Sequence, residues 1–133
     1  MFKLYHFSTW SGPVINLAGI LRPSPDYLKD GPPLVWLSTN DEWEPCIQSR
    51  QVGIPYTRGP STLEHYSGQS IPCWRFEVEV PYMYKLHYNI PGWVAMLKDG
   101  EELGSDVSKW HWTTSSVNVI NSFKYEDSRW KKV

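Results

Sequence analysis

The sequence predicts an α+β domain, and three observations carry the prediction. WRFEVEV at 74–80 alternates with the period of a strand. VINLAGIL at 14–21 sets Val14, Leu17, Ala18 and Leu21 at helical spacing and stops before Pro23. A chain of 133 residues is long enough for one continuous core and too short for two. Together they give a split, single domain over residues 1–133, with about five to seven strands and two short helices.

The elements follow in order. FKLYHFS at 2–8 is aromatic-rich and weakly alternating, which reads as a first strand. Ser11-Gly12-Pro13 opens the first helix, with Val14, Leu17, Ala18 and Leu21 as its apolar stripe. RPSPDYLKDGPP at 22–33 is a surface connection, and LVWLST then reads as a buried strand. Residues 40–71 hold neither period and contain Pro45, Gly53, Pro55, Gly59, Pro60 and Gly68. We expect a long loop or lid there, with a short strand at 51–57 and with Trp43, Tyr56 and Tyr66 available to cover a ligand.

In the strand at 74–80, Trp74, Phe76, Val78 and Val80 form the inner face, and Arg75, Glu77 and Glu79 are expected to meet solvent. YMYKLHYN at 82–89 is a further strand or an irregular segment. GWVAMLKDGEELG reads as a helix ended at Asp99-Gly100, which leaves Glu101 and Glu102 in a turn. KWHWTTSSV and VNVINSFKYEDSRW complete the set as strands.

Composition narrows the function classes. Thirteen basic against fourteen acidic residues leave a net charge of −1, without the basic footprint that draws proteins onto duplex nucleic acid or anionic lipid. Cys46 and Cys73 suit neither a zinc ribbon nor a redox pair and read as reduced thiols. The histidines, at 6, 65, 87 and 111, have no metal-ligand spacing, so no metal is expected. No stretch of 18 apolar residues or signal-peptide pattern occurs, which points to a cytoplasmic protein without a membrane span. Eight Trp, eight Tyr and four Phe exceed what so small a core encloses, so some rings are expected to be exposed and functional.

Three segments combine aromatics with hydroxyls: Tyr5-His6-Phe7-Ser8-Thr9, VWLST at 35–39, and WHWTTSS at 110–116. A histidine beside hydroxyls can hydrogen-bond a ribose, and a neighbouring ring can stack on a base or on nicotinamide. His6 with His111 would also serve acid–base ribonuclease chemistry, if the fold brings the two together.

Over roughly the first forty residues, LYHFST, the helix ending GILRPS and PLVWLST resemble the ADP-ribosyltransferase-like fold, including its toxin and RNA 2'-phosphotransferase branches. The resemblance implies two small, mostly antiparallel sheets around a cleft that takes NAD. By it, Tyr5, His6 and Ser8 would hold ribose, Arg22 or Arg75 the pyrophosphate, and Trp36, Ser38 and Thr39 the nicotinamide pocket. It also implies a glutamate on a late strand. KWHWTTSSV has none, which leaves His6 and Glu126 as the catalytic candidates.

The function implied is a mono-ADP-ribosyltransferase or other NAD-consuming enzyme acting on a macromolecular target, protein or nucleic acid. The alternative is a non-catalytic nucleotide-binding or protein-binding inhibitor on the same fold, of the kind a phage aims at a host factor.

Overall fold

The computed structural model describes residues 1–23, 33–49, 59–82, 84–85 and 94–133. They form an α+β domain with two antiparallel sheets. The larger has seven strands in the order β5-β6-β3-β1-β4-β8-β9: β1 (Phe2–Ser8), β3 (Val35–Ser38), β4 (Trp74–Val80), β5 (Tyr84–Lys85), β6 (Trp110–Thr113), β8 (Asn121–Glu126) and β9 (Arg129–Lys132). The smaller pairs β2 (Ile20–Leu21) with β7 (Val117–Asn118). Three α-helices are described, where the sequence predicts two: α1 (Gly12–Ala18), α2 (Leu63–Gly68) and α3 (Val94–Glu102).

β1 lies at the centre and pairs with β4 along its whole length, from Phe2↔Val80 to Ser8↔Trp74. Alternation then sorts side chains between two layers. Leu4, Leu37, Val35, Val78 and Val80 form one apolar layer, closed by Leu21, Ile15, Val117 and Val119 from α1 and the small sheet. On the opposite face, Phe7, Trp43, Tyr66 and Cys73 pack at one end, and Leu34, Leu97 and Trp110 at the other.

Several expectations are corrected by this packing. The polar side of β4 does not meet solvent at Arg75 and Glu77. Arg75 is ringed by Tyr5, Phe123 and Trp130, with its guanidinium carbon 4.3 Å from the Phe123 ring centre, and it donates to the Asp41 carbonyl. The Arg75 bond to the Asp41 carbonyl and the Trp130 indole bond to the Glu42 carbonyl tie the 40–44 segment down onto the sheet. Glu77 is buried, its carboxylate accepting from Asn121 Nδ2 at 2.6 Å and pairing with Lys3 at 2.9 Å.

The described residues of 40–71 are not irregular throughout. Trp43 and Tyr66 are core rings 6.2 Å apart, and α2 begins at Thr62, whose hydroxyl accepts the His65 N–H. Tyr56 and the strand expected at 51–57 lie outside the described residues.

Of the stripe read for α1, Val14, Leu17 and Ala18 are exposed, Leu21 lies past the helix in β2 and is buried, and Ile15 is the helix residue that meets the core. α3 continues through Gly100, so Glu101 and Glu102 are helical. Gly100 is required there because a Cβ would overlap the Trp110 ring. The final strand is a hairpin, β8–β9, turned by Asp127 and Ser128 with φ of 52° and 60°.

Two predictions follow. Gly100→Ala is expected to destabilise the fold by about 1–3 kcal/mol through overpacking against Trp110, read from the midpoint of urea unfolding. The Asn121 amide, followed by the Lys3 ammonium, holds the Glu77 carboxyl below the ordinary range. Its contribution is therefore complete above the unfolded value of about 4.3 and is lost as pH falls through the lower folded value. Urea titrations repeated downward from about pH 5 should show Glu77→Gln flattening the acid loss of stability.

Candidate functional site

β1 and β3 are adjacent, yet they share a single pairing, Tyr5↔Ser38. Next to it on β1, the His6 side chain also bonds β3. His6 Nδ1 lies 2.8 Å from the Trp36 carbonyl oxygen. A carbonyl only accepts, so Nδ1 carries the proton and Nε2 presents a lone pair. Burial lowers the His6 pKa and so favours the neutral ring, and the Trp36 hydrogen bond opposes that shift. The result is a half-buried imidazole with a fixed tautomer where β1 meets β3.

The same alternation divides the residues expected to share one pocket. His6 and Ser8 lie on the face of Leu4, Phe76 and Leu37, whereas Tyr5, Trp36 and Ser38 lie on the other. Ser8 is buried and bonds the Ser11 hydroxyl at 2.5 Å. The Trp36 ring meets Trp110 edge to face at 5.6 Å, within the layer that packs α3. Ser38 donates to Glu44 Oε1 at 2.7 Å, and both are buried. Tyr5 contacts the Arg75 guanidinium.

Thr39 is exposed, its backbone N–H donating to the Lys109 carbonyl at 3.0 Å. Arg22 is exposed just past β2, in the small sheet. Arg75 is held among rings on the face away from His6.

Glu126 is exposed at the β8–β9 turn, paired with Lys124 at 3.3 Å. His6 is in register with Phe76, and Phe76 with Ser122, so Glu126 lies two strands across and four residues on. Strand spacings put it roughly 16 Å from His6. The structure does not bring these two candidates together.

It does bring His111 toward His6. β6 pairs with β3 through Leu37↔His111, and carrying Tyr5↔Ser38 one residue on places His6 beside Leu37 from the opposite side. Both imidazoles therefore flank Leu37 on one face. On that face of β1, β3, β4 and β6 the residues are Phe2, Leu4, His6, Ser8, Val35, Leu37, Trp74, Phe76, Val78, Val80, His111 and Thr113, with no carboxylate. Glu44, whose Oε2 is buried without a partner, went unnoticed in the sequence, since nothing in its spacing marks it out. No group of metal-ligating residues is found among the described residues.

No protein-family profile, curated protein or solved structure matches this chain.

The His6 geometry has a direct test. Long-range proton–nitrogen NMR spectra should show the Nδ1-protonated tautomer, with titration below the unperturbed value of about 6.5. The unfolded state then binds the proton more readily, so the contribution of His6 to stability is lost as pH falls through that window.

Proposed function

We propose that this chain is a nucleotide-binding module, with NAD as its leading ligand and with its cleft at the seam between β1 and β3. The observation that carries the reading is His6: a neutral imidazole on the central strand, fixed by the Trp36 carbonyl, with Nε2 free to accept a ribose hydroxyl. The ADP-ribosyltransferase-like resemblance of residues 1–40 supplies the choice of NAD, and the half-buried position of His6 beside β3 supports a site there.

Turnover of NAD needs an anionic group beside the ribosyl carbon to stabilise an oxocarbenium-like centre. The four strands around His6 offer none on its face, and Glu126 is distant. That favours the binding reading over the transferase reading. A macromolecular target, such as a host factor met by a phage protein, has a surface to meet in Trp10, Val14 and Leu17, which are all exposed at or beside α1.

Titration of the purified chain with NAD, followed by tryptophan fluorescence and an assay for free nicotinamide, separates the readings. Saturable binding without nicotinamide release is expected, and His6→Ala should abolish binding while leaving the thermal transition in place. Release of nicotinamide would establish the transferase reading. Full affinity in a folded His6→Ala variant would remove the cleft from consideration.

A further inference from the structure

We infer that β9 is a docking edge for an extended acidic segment of a partner protein, which joins the large sheet as a further antiparallel strand. β9 ends the strand order of that sheet, and β8 is its one neighbour among the described residues. The inference stands apart from the nucleotide reading, since β9 lies three strands from β1.

The ladder decides which main-chain groups of β9 are unmet. The Val133 N–H donates to the Ser122 carbonyl at 2.9 Å, in the register that runs from Phe123↔Lys132 to Glu126↔Arg129. Bonded pairs alternate along an antiparallel ladder, so Arg129 and Lys131 turn their N–H and C=O groups toward β8, and Trp130 and Lys132 turn theirs outward. Among the described residues, no backbone bond from outside the sheet reaches Trp130 or Lys132. The Trp130 indole donates to the Glu42 carbonyl at 3.0 Å and its ring meets Tyr125 edge to face, so the edge is ordered before a partner arrives.

Side chains choose the occupant. Residues 121–133 carry four basic and two acidic side chains in a chain whose net charge is −1. Arg129 and Lys131 share one face of β9, and Trp130 and Lys132 share the other. Lys124 and Lys131 pair with Glu126 and Asp127, whereas the exposed Arg129 and Lys132 form no ion pair among the described residues. A strand that alternates carboxylates with branched apolar residues fits this pattern. Its carboxylates lie beside Arg129 and Lys131, and its apolar side chains lie beside Trp130. A second copy fits less well, because β9 paired with itself sets basic side chains against basic ones. The phosphates of a nucleic acid accept hydrogen bonds and donate none, which leaves the outward carbonyls of Trp130 and Lys132 unmet.

The test titrates the isotope-labelled full chain with a capped peptide of Glu-Val repeats, followed by NMR. A Lys-Val peptide, a short oligothymidine and the Glu-Val peptide N-methylated at its valines or at its glutamates serve beside it. The valines stand opposite Trp130 and Lys132 and exchange bonds with them, while the glutamate N–H groups face away. Saturable binding of the Glu-Val peptide is expected, with hydrogen exchange slowed at least about 10-fold at the Trp130 and Lys132 amides and unchanged at those of Arg129 and Lys131. Methylation of the valines should weaken binding at least about 10-fold, and methylation of the glutamates should not. Arg129→Glu and Lys132→Pro should each weaken it similarly with the thermal transition in place, since an edge strand tolerates a proline whose N–H would face outward. The methylated peptides carry the same test on the wild-type chain if a variant fails to fold.

No saturable binding by the folded wild-type chain overturns the inference, as does equal binding of the Lys-Val peptide, of the valine-methylated peptide or of the oligothymidine. Self-association that protects the Trp130 and Lys132 amides without peptide gives the edge to a second copy and overturns it as well.

Discussion

The continuous pairing of β1 with β4 is the constraint on which the rest of the fold depends. Seven matched positions, from Phe2↔Val80 to Ser8↔Trp74, leave no freedom to slip, because a shift of one residue would exchange Leu4 and Val78 for Lys3 and Glu79 in the core. With that register set, β3 and β8 can attach only at the flanks of the pair, and β6 only beyond β3. The partition of side chains between two faces follows without further specification. It decides which residues can meet a common ligand.

The aromatic richness of the chain is mostly spent on the face away from His6. Phe7, Trp43, Tyr66, Tyr125 and Trp130 form one connected layer, with ring centres at 5.3 to 6.4 Å in the contacts that join them. Arg75 inserts its guanidinium among Tyr5, Phe123 and Trp130, a position in which a charge is tolerated because the ring faces are electron-rich and the Asp41 carbonyl accepts one N–H. A Lys there would lose the planar stacking that Arg provides. The cost of burying polar groups is offset in the same layer, where the Trp43 indole donates to Ser61 and Ser38 donates to Glu44.

Strand existence was legible in the sequence because period-2 alternation is a local signal: 2–8 and 74–80 are strands with the bounds that the pattern sets. What alternation cannot reveal is which side of a strand has a second layer. Arg75 and Glu77 read as a solvent face because the residues that cover them, Asp41, Asn121 and Trp130, are distant in sequence. The outward turn of Val14 and Leu17 has the same origin, since the apolar stripe of a seven-residue helix does not say where the core is. Grouping His6 and Ser8 with Trp36 and Ser38 required a register between β1 and β3 that only tertiary structure defines. His65 is exposed on α2, and His111 alone of the other described histidines shares the face of His6.

Two of the four β6 positions paired with β3 decide what this part of the sheet can do, and each is already occupied. Trp110 stands beside Ser38 and Trp36, with its ring set into the notch at Gly100, so a carboxylate at that position would face Leu34 and Leu97 rather than water. His111 is the β6 residue on the face of His6. An imidazole in place of a carboxylate changes what the cleft can stabilise. A neutral or protonated ring offers nothing to a cationic ribosyl centre and, when charged, repels it. The face that carries His6 and His111 therefore offers no carboxylate to a cationic ribosyl centre, a constraint that holds whatever the first forty residues resemble.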